Sequence, residues 1–211
     1  MSPEQSPPTR WETFHDGPSW QHYVERFAEL HHSGADVDGE ARFVDVLLAR
    51  GSRVLDAGCG TGRVAEGLRR AGHDTVGVDR DAGLVAIARF RYPDGRYLVG
   101  DLLTLTAAEL AEAGVVAEFD AIVLAGNVLV FVAPGTERAV LANLAGLLVP
   151  GGRMVTGFAT DRDYQVSAFR VAAAAVGLAV EHTFSTWHLD PWAEDADWCV
   201  TVLRKAPSVT G

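Results

Sequence analysis

The chain has 211 residues, 48% of them hydrophobic, with a formal net charge of −10, which suits one α/β domain with enough apolar side chains for a core. The acidic balance opposes an extended phosphate-binding surface, because nucleic-acid affinity rests largely on Lys and Arg displacing counterions. Two cysteines, Cys59 and Cys199, are too few for a disulfide framework and belong to no metal-ligand pattern, which suits a reducing cytoplasm.

Met1 to Arg10 is polar and Pro-rich, lacks the apolar core of a secretion signal, and reads as a disordered tail over residues 1–10. No apolar run reaches the roughly 20 residues that span a bilayer, so neither membrane nor nucleic acid is an expected partner. Residues 11–50 read as an N-terminal helical lid. Trp20 to Leu30 carries Tyr23, Phe27 and Leu30 on one face, and Glu40 to Arg50 carries Phe43, Val46 and Leu47, with Gly51 as its stop. From residue 51 to 211 the texture changes to alternating strands and helices. Strands are expected at Arg53–Ala57, Thr75–Asp79, Arg96–Val99, Phe119–Ala125 and Arg153–Phe158, with helices at Arg63–Ala71, Ala82–Phe90 and Thr136–Leu148 between them. A helix over Gln165–Val176 then precedes strands near Leu178–Trp187 and Trp198–Arg204. These two are joined by only a loop, so they must be antiparallel. The expected fold class is α/β, a three-layer sandwich around a mostly parallel sheet.

The sharpest local signal is Val54-Leu-Asp-Ala-Gly-Cys-Gly-Thr-Gly62, a strand feeding three alternating glycines and then a helix. Glycines let the backbone turn tightly and approach a ligand that a Cβ would exclude. The dinucleotide fingerprint Gly-x-Gly-x-x-Gly, counted from Gly58, requires glycine where Arg63 stands. Asp56, at the strand end, would repel a pyrophosphate and suits a ligand bearing an ammonium and a sulfonium.

These residues resemble the first motif of class I, Rossmann-like S-adenosylmethionine-dependent methyltransferases, and the resemblance extends over roughly Gly51 to Arg204. It implies a seven-stranded sheet of order 3-2-1-4-5-7-6 with strand 7 antiparallel, and S-adenosylmethionine as cofactor. It places Asp56, Ala57, Gly58 and Gly60 around the methionine end and gives Asp79, with Arg80 beside it, to the ribose hydroxyls. Asp101 and Leu102 fall to the adenine, and Gly126 and Asn127 lie beside the reacting methyl group. Asp79 alone would also suit a nicotinamide cofactor, and Asp101 alone could be a turn or helix cap.

Open α/β sheets bind ligands beyond the carboxyl ends of their strands. All five tryptophans lie outside the repeated units: Trp11 and Trp20 near one end of the chain, Trp187, Trp192 and Trp198 near the other. Trp198 reads as packing. The others either roof the site from both chain ends or pin terminal segments to the core. Tyr23, Arg26, Phe131, Trp187 and Trp192 are the candidate lid and acceptor contacts. An acceptor hydroxyl or ammonium needs a proton acceptor, and His188, then His15 and His22, are the positional candidates. No ligand cluster for a metal is recognisable. After the fourth strand the chain reads Ala-Gly-Asn-Val and lacks the Asn-Pro-Pro-Tyr of enzymes that methylate exocyclic amines of nucleic acids, which leaves a small organic acceptor. A non-catalytic sensor of the same cofactor and, more remotely, an NAD-dependent oxidoreductase are the alternatives.

Overall fold

The computed structural model describes residues 6–14, 18–34 and 36–207, with only the backbone described at residues 14, 18–19, 27–28 and 31–32. Its elements in chain order are α1 (Arg10–Phe14), α2 (Pro18–His32), α3 (Gly39–Val46), β1 (Arg53–Ala57), α4 (Arg63–Arg70), β2 (Asp74–Asp79), α5 (Ala82–Arg91) and β3 (Tyr97–Val99). They continue with α6 (Ala107–Glu112), β4 (Phe119–Leu124), α7 (Val128–Phe131), α8 (Glu137–Leu147), β5 (Leu148–Ala159), α9 (Val166–Ala175), β6 (Leu178–Phe184) and β7 (Trp198–Lys205).

The strands form one seven-stranded sheet of order β3-β2-β1-β4-β5-β7-β6. Pairs along β3-β2-β1-β4-β5 are parallel, and β7 runs antiparallel to both β5 and β6. β4 is apolar on both faces, and the structure shows why. Ile122 and Leu124 join a core with Leu144 of α8 and Phe169 of α9, while Ala121 and Val123 join the opposite core with Phe43 and Val44 of α3 and Leu68 of α4. A strand covered on both sides cannot alternate apolar with polar residues.

Some boundaries differ from the sequence reading, each for a local reason. Residues 6–10, expected within a tail, are held: Arg10 opens α1, and its guanidinium donates to the Val132 carbonyl at 3.1 Å and to Glu137 at 2.9 Å. The Pro150-Gly151-Gly152 turn lies inside β5, where pairing with β4 shifts register between Phe119 and Ala121. Gly151 takes φ +75°, so the strand starts before the irregularity instead of after it. β6 stops at Phe184, because the Ser185 N–H donates to the Asp190 carbonyl and the chain folds back on itself. The short helix α6 lacked enough turns to show a period, although its capping box, Thr106 with Glu109, was readable.

Candidate active site

The floor of the site is built at the carboxyl ends of β1, β2 and β3. Asp56 is buried beneath the glycine loop, where one oxygen accepts the Ala65 N–H of α4 at 3.0 Å. Burial pushes its carboxyl up to about 7. At Gly58, φ +81°, a Cβ would come within 2.5 Å of the Val128 side chain, so only glycine brings the loop this close to the end of β4. The Gly60 N–H donates to Asp79 Oδ2 at 2.8 Å, and Asp79 Oδ1 accepts the Asp81 N–H at 2.9 Å. Loop and carboxylate therefore fix each other, and burial raises the Asp79 pKa. In the turn after β3, Asp101 accepts the Leu103 N–H at 2.9 Å and lies 3.4 Å from the Arg80 guanidinium.

Above this floor is a cavity of about 300 Å³, within the range of small-molecule sites. Gly58, Gly60, Asp79, Arg80, Asp101, Leu102 and Gly126 border it, together with Tyr23 and Phe131. Seven of these were expected around the cofactor, and Tyr23 and Phe131 in the lid; all nine line the same cavity. Asp56 and Ala57 lie below that surface, Ala57 wholly buried in β1. Asn127 is elsewhere engaged. It sits in the left-handed region at φ 71°, its side-chain oxygen accepts the Ala159 N–H at 2.8 Å, and its own N–H donates to the Gly157 carbonyl. It stitches the end of β4 to β5, while Gly126 and Val128 on either side of it border the cavity.

The roof comes from the N-terminal segment. Trp11 meets the ring of Tyr23 edge-on at 4.9 Å and that of Phe131 at 5.5 Å. The Trp11 and Trp20 indoles both donate to Asp81 Oδ2, at 3.0 and 2.8 Å. Tyr23 reaches down to the floor: a Cβ on Gly60 would lie 3.2 Å from its hydroxyl. Burial, then the nearby Asp79 carboxylate, push the Tyr23 phenol well above its ordinary value, so it stays protonated. Arg80 holds the strap before α1, donating to the Pro7 carbonyl at 3.1 Å and pairing with Glu12 at 3.2 Å.

The C-terminal residues expected in that roof are placed away from the cavity. Trp187 packs edge-on against Phe43 at 5.3 Å, and its ring fills the space of a side chain at Gly157, where a Cβ would come within 2.2 Å. Trp192 lies against Arg170, 5.7 Å from the guanidinium carbon. His188 is exposed and borders a separate hollow with Asp36, Ser185 and Asp197, so the geometry does not bring it to the floor as a base. Arg26 and His22 are exposed on α2 and do not border the cavity. His15 and the Phe27 side chain fall outside the described residues. The sequence reading passed over Arg10 and Asp81; an acidic residue just before a helical run was the only available signal for the latter.

The donor set fits S-adenosylmethionine. Asp79 keeps lone pairs for vicinal hydroxyls beyond the two N–H groups it accepts. Leu84, Leu102 and Val128 supply apolar walls for a ring, with Asp101 at the edge. A pyrophosphate fits poorly, because the Asp56 carboxylate lies directly beneath the glycine loop and Arg63 is paired with Glu40, bidentate at 2.5 Å. Among the described residues no group of three or more His, Cys, Asp or Glu could hold a metal ion, and no helix is long and apolar enough to cross a membrane.

Comparison with known proteins agrees. A methyltransferase domain model matches residues 54–152. A TehB-like S-adenosylmethionine-dependent methyltransferase from Corynebacterium glutamicum is 37% identical, with TM-score 0.81 over 90% of this chain and 100% of that one. The chain belongs to the S-adenosylmethionine-dependent methyltransferases. Within that family, a ubiquinone biosynthesis O-methyltransferase from Alkalilimnicola ehrlichii is 31% identical over 76% of this chain and 64% of its own length. A malonyl-[acyl-carrier protein] O-methyltransferase from Pectobacterium atrosepticum is 38% identical over 40% of this chain and 32% of its own length. The chain spans between 32% and 65% of the length of such curated relatives. This methyltransferase has its family's sheet, and its glycine loop lies within the matched residues.

Proposed function

We propose that this methyltransferase transfers a methyl group from S-adenosylmethionine to a small organic acceptor in the cytoplasm, with the cofactor on the β1–β3 floor and the acceptor enclosed by the N-terminal roof. The observation that carries the reading is the junction of Gly60 with Asp79 directly beneath Tyr23. It sets a hydroxyl-accepting carboxylate, a close-approach backbone and an aromatic cover around one cavity.

When bound, S-adenosylmethionine supplies an electrophilic methyl group and leaves as S-adenosylhomocysteine. Asp79 would accept from the ribose hydroxyls, and Asp101 with Leu102 would meet the adenine edge. Asp56, ionised, would complement the ammonium through the Gly58 turn, and Gly126 would border the methionine portion. Trp11, Tyr23 and Phe131 exclude water and restrict how an acceptor can lie. Because alignment of the reacting atoms supplies much of the acceleration, the chain needs no obligatory nucleophile of its own. The cavity's size, the acidic surface and two buried free thiols support the small acceptor and the reducing compartment.

Calorimetry with S-adenosylhomocysteine tests the floor. Asp79→Ala should weaken binding by about 1 to 3 kcal/mol, since buried ligand hydroxyls lose their partner. Turnover is tested by incubating the protein and S-adenosylmethionine with fractionated cell metabolites and following S-adenosylhomocysteine. Unchanged affinity in a folded Asp79→Ala protein would remove the ribose assignment; tight cofactor binding with no turnover on any fraction would leave a sensor instead of an enzyme.

A further inference from the structure

We propose that Asp81 is a positioning residue whose carboxylate latches the N-terminal roof shut over the cavity by accepting both of that segment's indole N–H groups. The two oxygens divide the work. Oδ1 caps α5, accepting the Gly83 and Leu84 N–H groups at 2.9 and 3.1 Å. Oδ2 accepts Trp11 Nε1 at 3.0 Å and Trp20 Nε1 at 2.8 Å.

The two donors come from different helices. Trp11 lies on α1 and Trp20 on α2, so one oxygen ties together two pieces of chain that precede the sheet and fixes both to a βα turn. An indole N–H can only donate, and an indole laid against protein loses its water, so the carboxylate decides whether this packing is favourable. Gly83 makes room for it: a Cβ there would lie 3.0 Å from the Trp20 ring. Helix capping alone explains an Asp at this position but not two tryptophans converging on its other oxygen.

The latch is built into the same turn as the ribose-facing acid. The Asp81 N–H donates to Asp79 Oδ1, and Asp79 Oδ2 holds the Gly60 N–H. A group that settles on Asp79 therefore acts on a turn whose next acidic residue holds the roof. Cofactor on the floor should tighten the cover, and a cover that must release product should loosen when its latch is removed. The functional use of the roof rests on the methyl-transfer reading; the latch itself does not.

Asp81→Asn separates the two roles, because asparagine caps a helix as well as aspartate does while its NH₂ cannot accept from an indole. The full-length protein labelled with ¹⁵N at tryptophan reports five indole signals, one per tryptophan. In Asp81→Asn those of Trp11 and Trp20 should move while those of Trp187, Trp192 and Trp198 stay. Amide exchange over residues 10–14 and 18–32 should quicken about tenfold or more without ligand, with α5 unchanged. S-adenosylhomocysteine should slow exchange in those segments in the parent protein and do so much less in the variant. Trp20→Phe, which keeps the ring and removes one donor, should loosen the same segments and show less than additive loosening when combined with Asp81→Asn. Indole signals that stay put with unchanged exchange would overturn the latch, as would movement of all five signals with faster exchange in α5, which would mean general loosening. Failure of S-adenosylhomocysteine to bind at all would overturn the functional reading while leaving the unliganded spectra to judge the latch.

Discussion

The two ends of this methyltransferase both bring tryptophans to the carboxyl edge of the sheet, yet they use them differently. At the N-terminal end, Trp11 borders the cavity, the Trp20 ring packs beside Gly83, and both give their N–H groups to one carboxylate. At the C-terminal end, Trp187 is wedged between Phe43 and Gly157, and Trp198 has a buried Nε1 with no hydrogen-bond partner among the described residues. Both arrangements bury apolar area. Only the first gives the polar edge a partner that sits on a ligand-facing turn, so its packing can respond to the contents of the cavity. The second is joined to the core around β5 and β7 and should respond only to folding. A tryptophan's function here follows from where its N–H goes.

The largest expected effect tests that contrast directly. Trp187→Ala should lower unfolding free energy by roughly 3 kcal/mol, the scale of an aromatic-to-alanine cavity, with S-adenosylhomocysteine affinity within about twofold of the parent once folded. Trp11→Ala should do the reverse, weakening the ligand more than the fold. Chemical denaturation and calorimetry on the two variants decide it. If Trp187→Ala weakens the ligand more than Trp11→Ala does, the two ends have been assigned the wrong way round.

A pH series separates floor from roof. Burial raises the Asp56 carboxyl to about 7 in the folded protein, against about 3.9 when unfolded. The folded state thus holds that proton more tightly. Its stabilising contribution is complete below the unfolded value and disappears as pH climbs through about 7. Asp56→Asn has no such loss, so its stability relative to the parent should improve between pH 5 and pH 8. Cofactor binding should show the opposite trend: parent affinity for S-adenosylhomocysteine rises over that range as Asp56 ionises against the ammonium, and the Asn variant lacks the rise. A stability difference independent of pH would mean that Asp56 is already charged in the free protein.

The smallest effect concerns His188. It is exposed at the rim of the other hollow, so His188→Ala should leave turnover, once an acceptor is found, within about twofold and its pH profile unshifted. A large loss confined to the rate at saturating acceptor would bring the C-terminal loop back to the cavity.

Much of this was readable in the chain. Alternating strands and helices gave the parallel sheet, and the short connection from β6 to β7 required their antiparallel pairing. The glycine loop with Asp56, Asp79 and Asp101 marked three strand ends on one edge of the sheet, because residues that end neighbouring parallel strands share an edge. Asn127 shows the limit of that argument: its position at the end of β4 was legible, but the sequence could not show that its side-chain oxygen closes the link to β5.

What the sequence determined by itself was whatever depends on local spacing: which residues alternate, where glycine permits a close turn, and which acidic side chains end strands. Tertiary structure alone decided which distant groups meet. That Trp11 and Trp20 converge on Asp81, while Trp187 turns inward to Gly157, depends on separations of 70, 61 and 30 residues along the chain. Those contacts are fixed by how helices and loops pack on the finished sheet, and no period or motif encodes them.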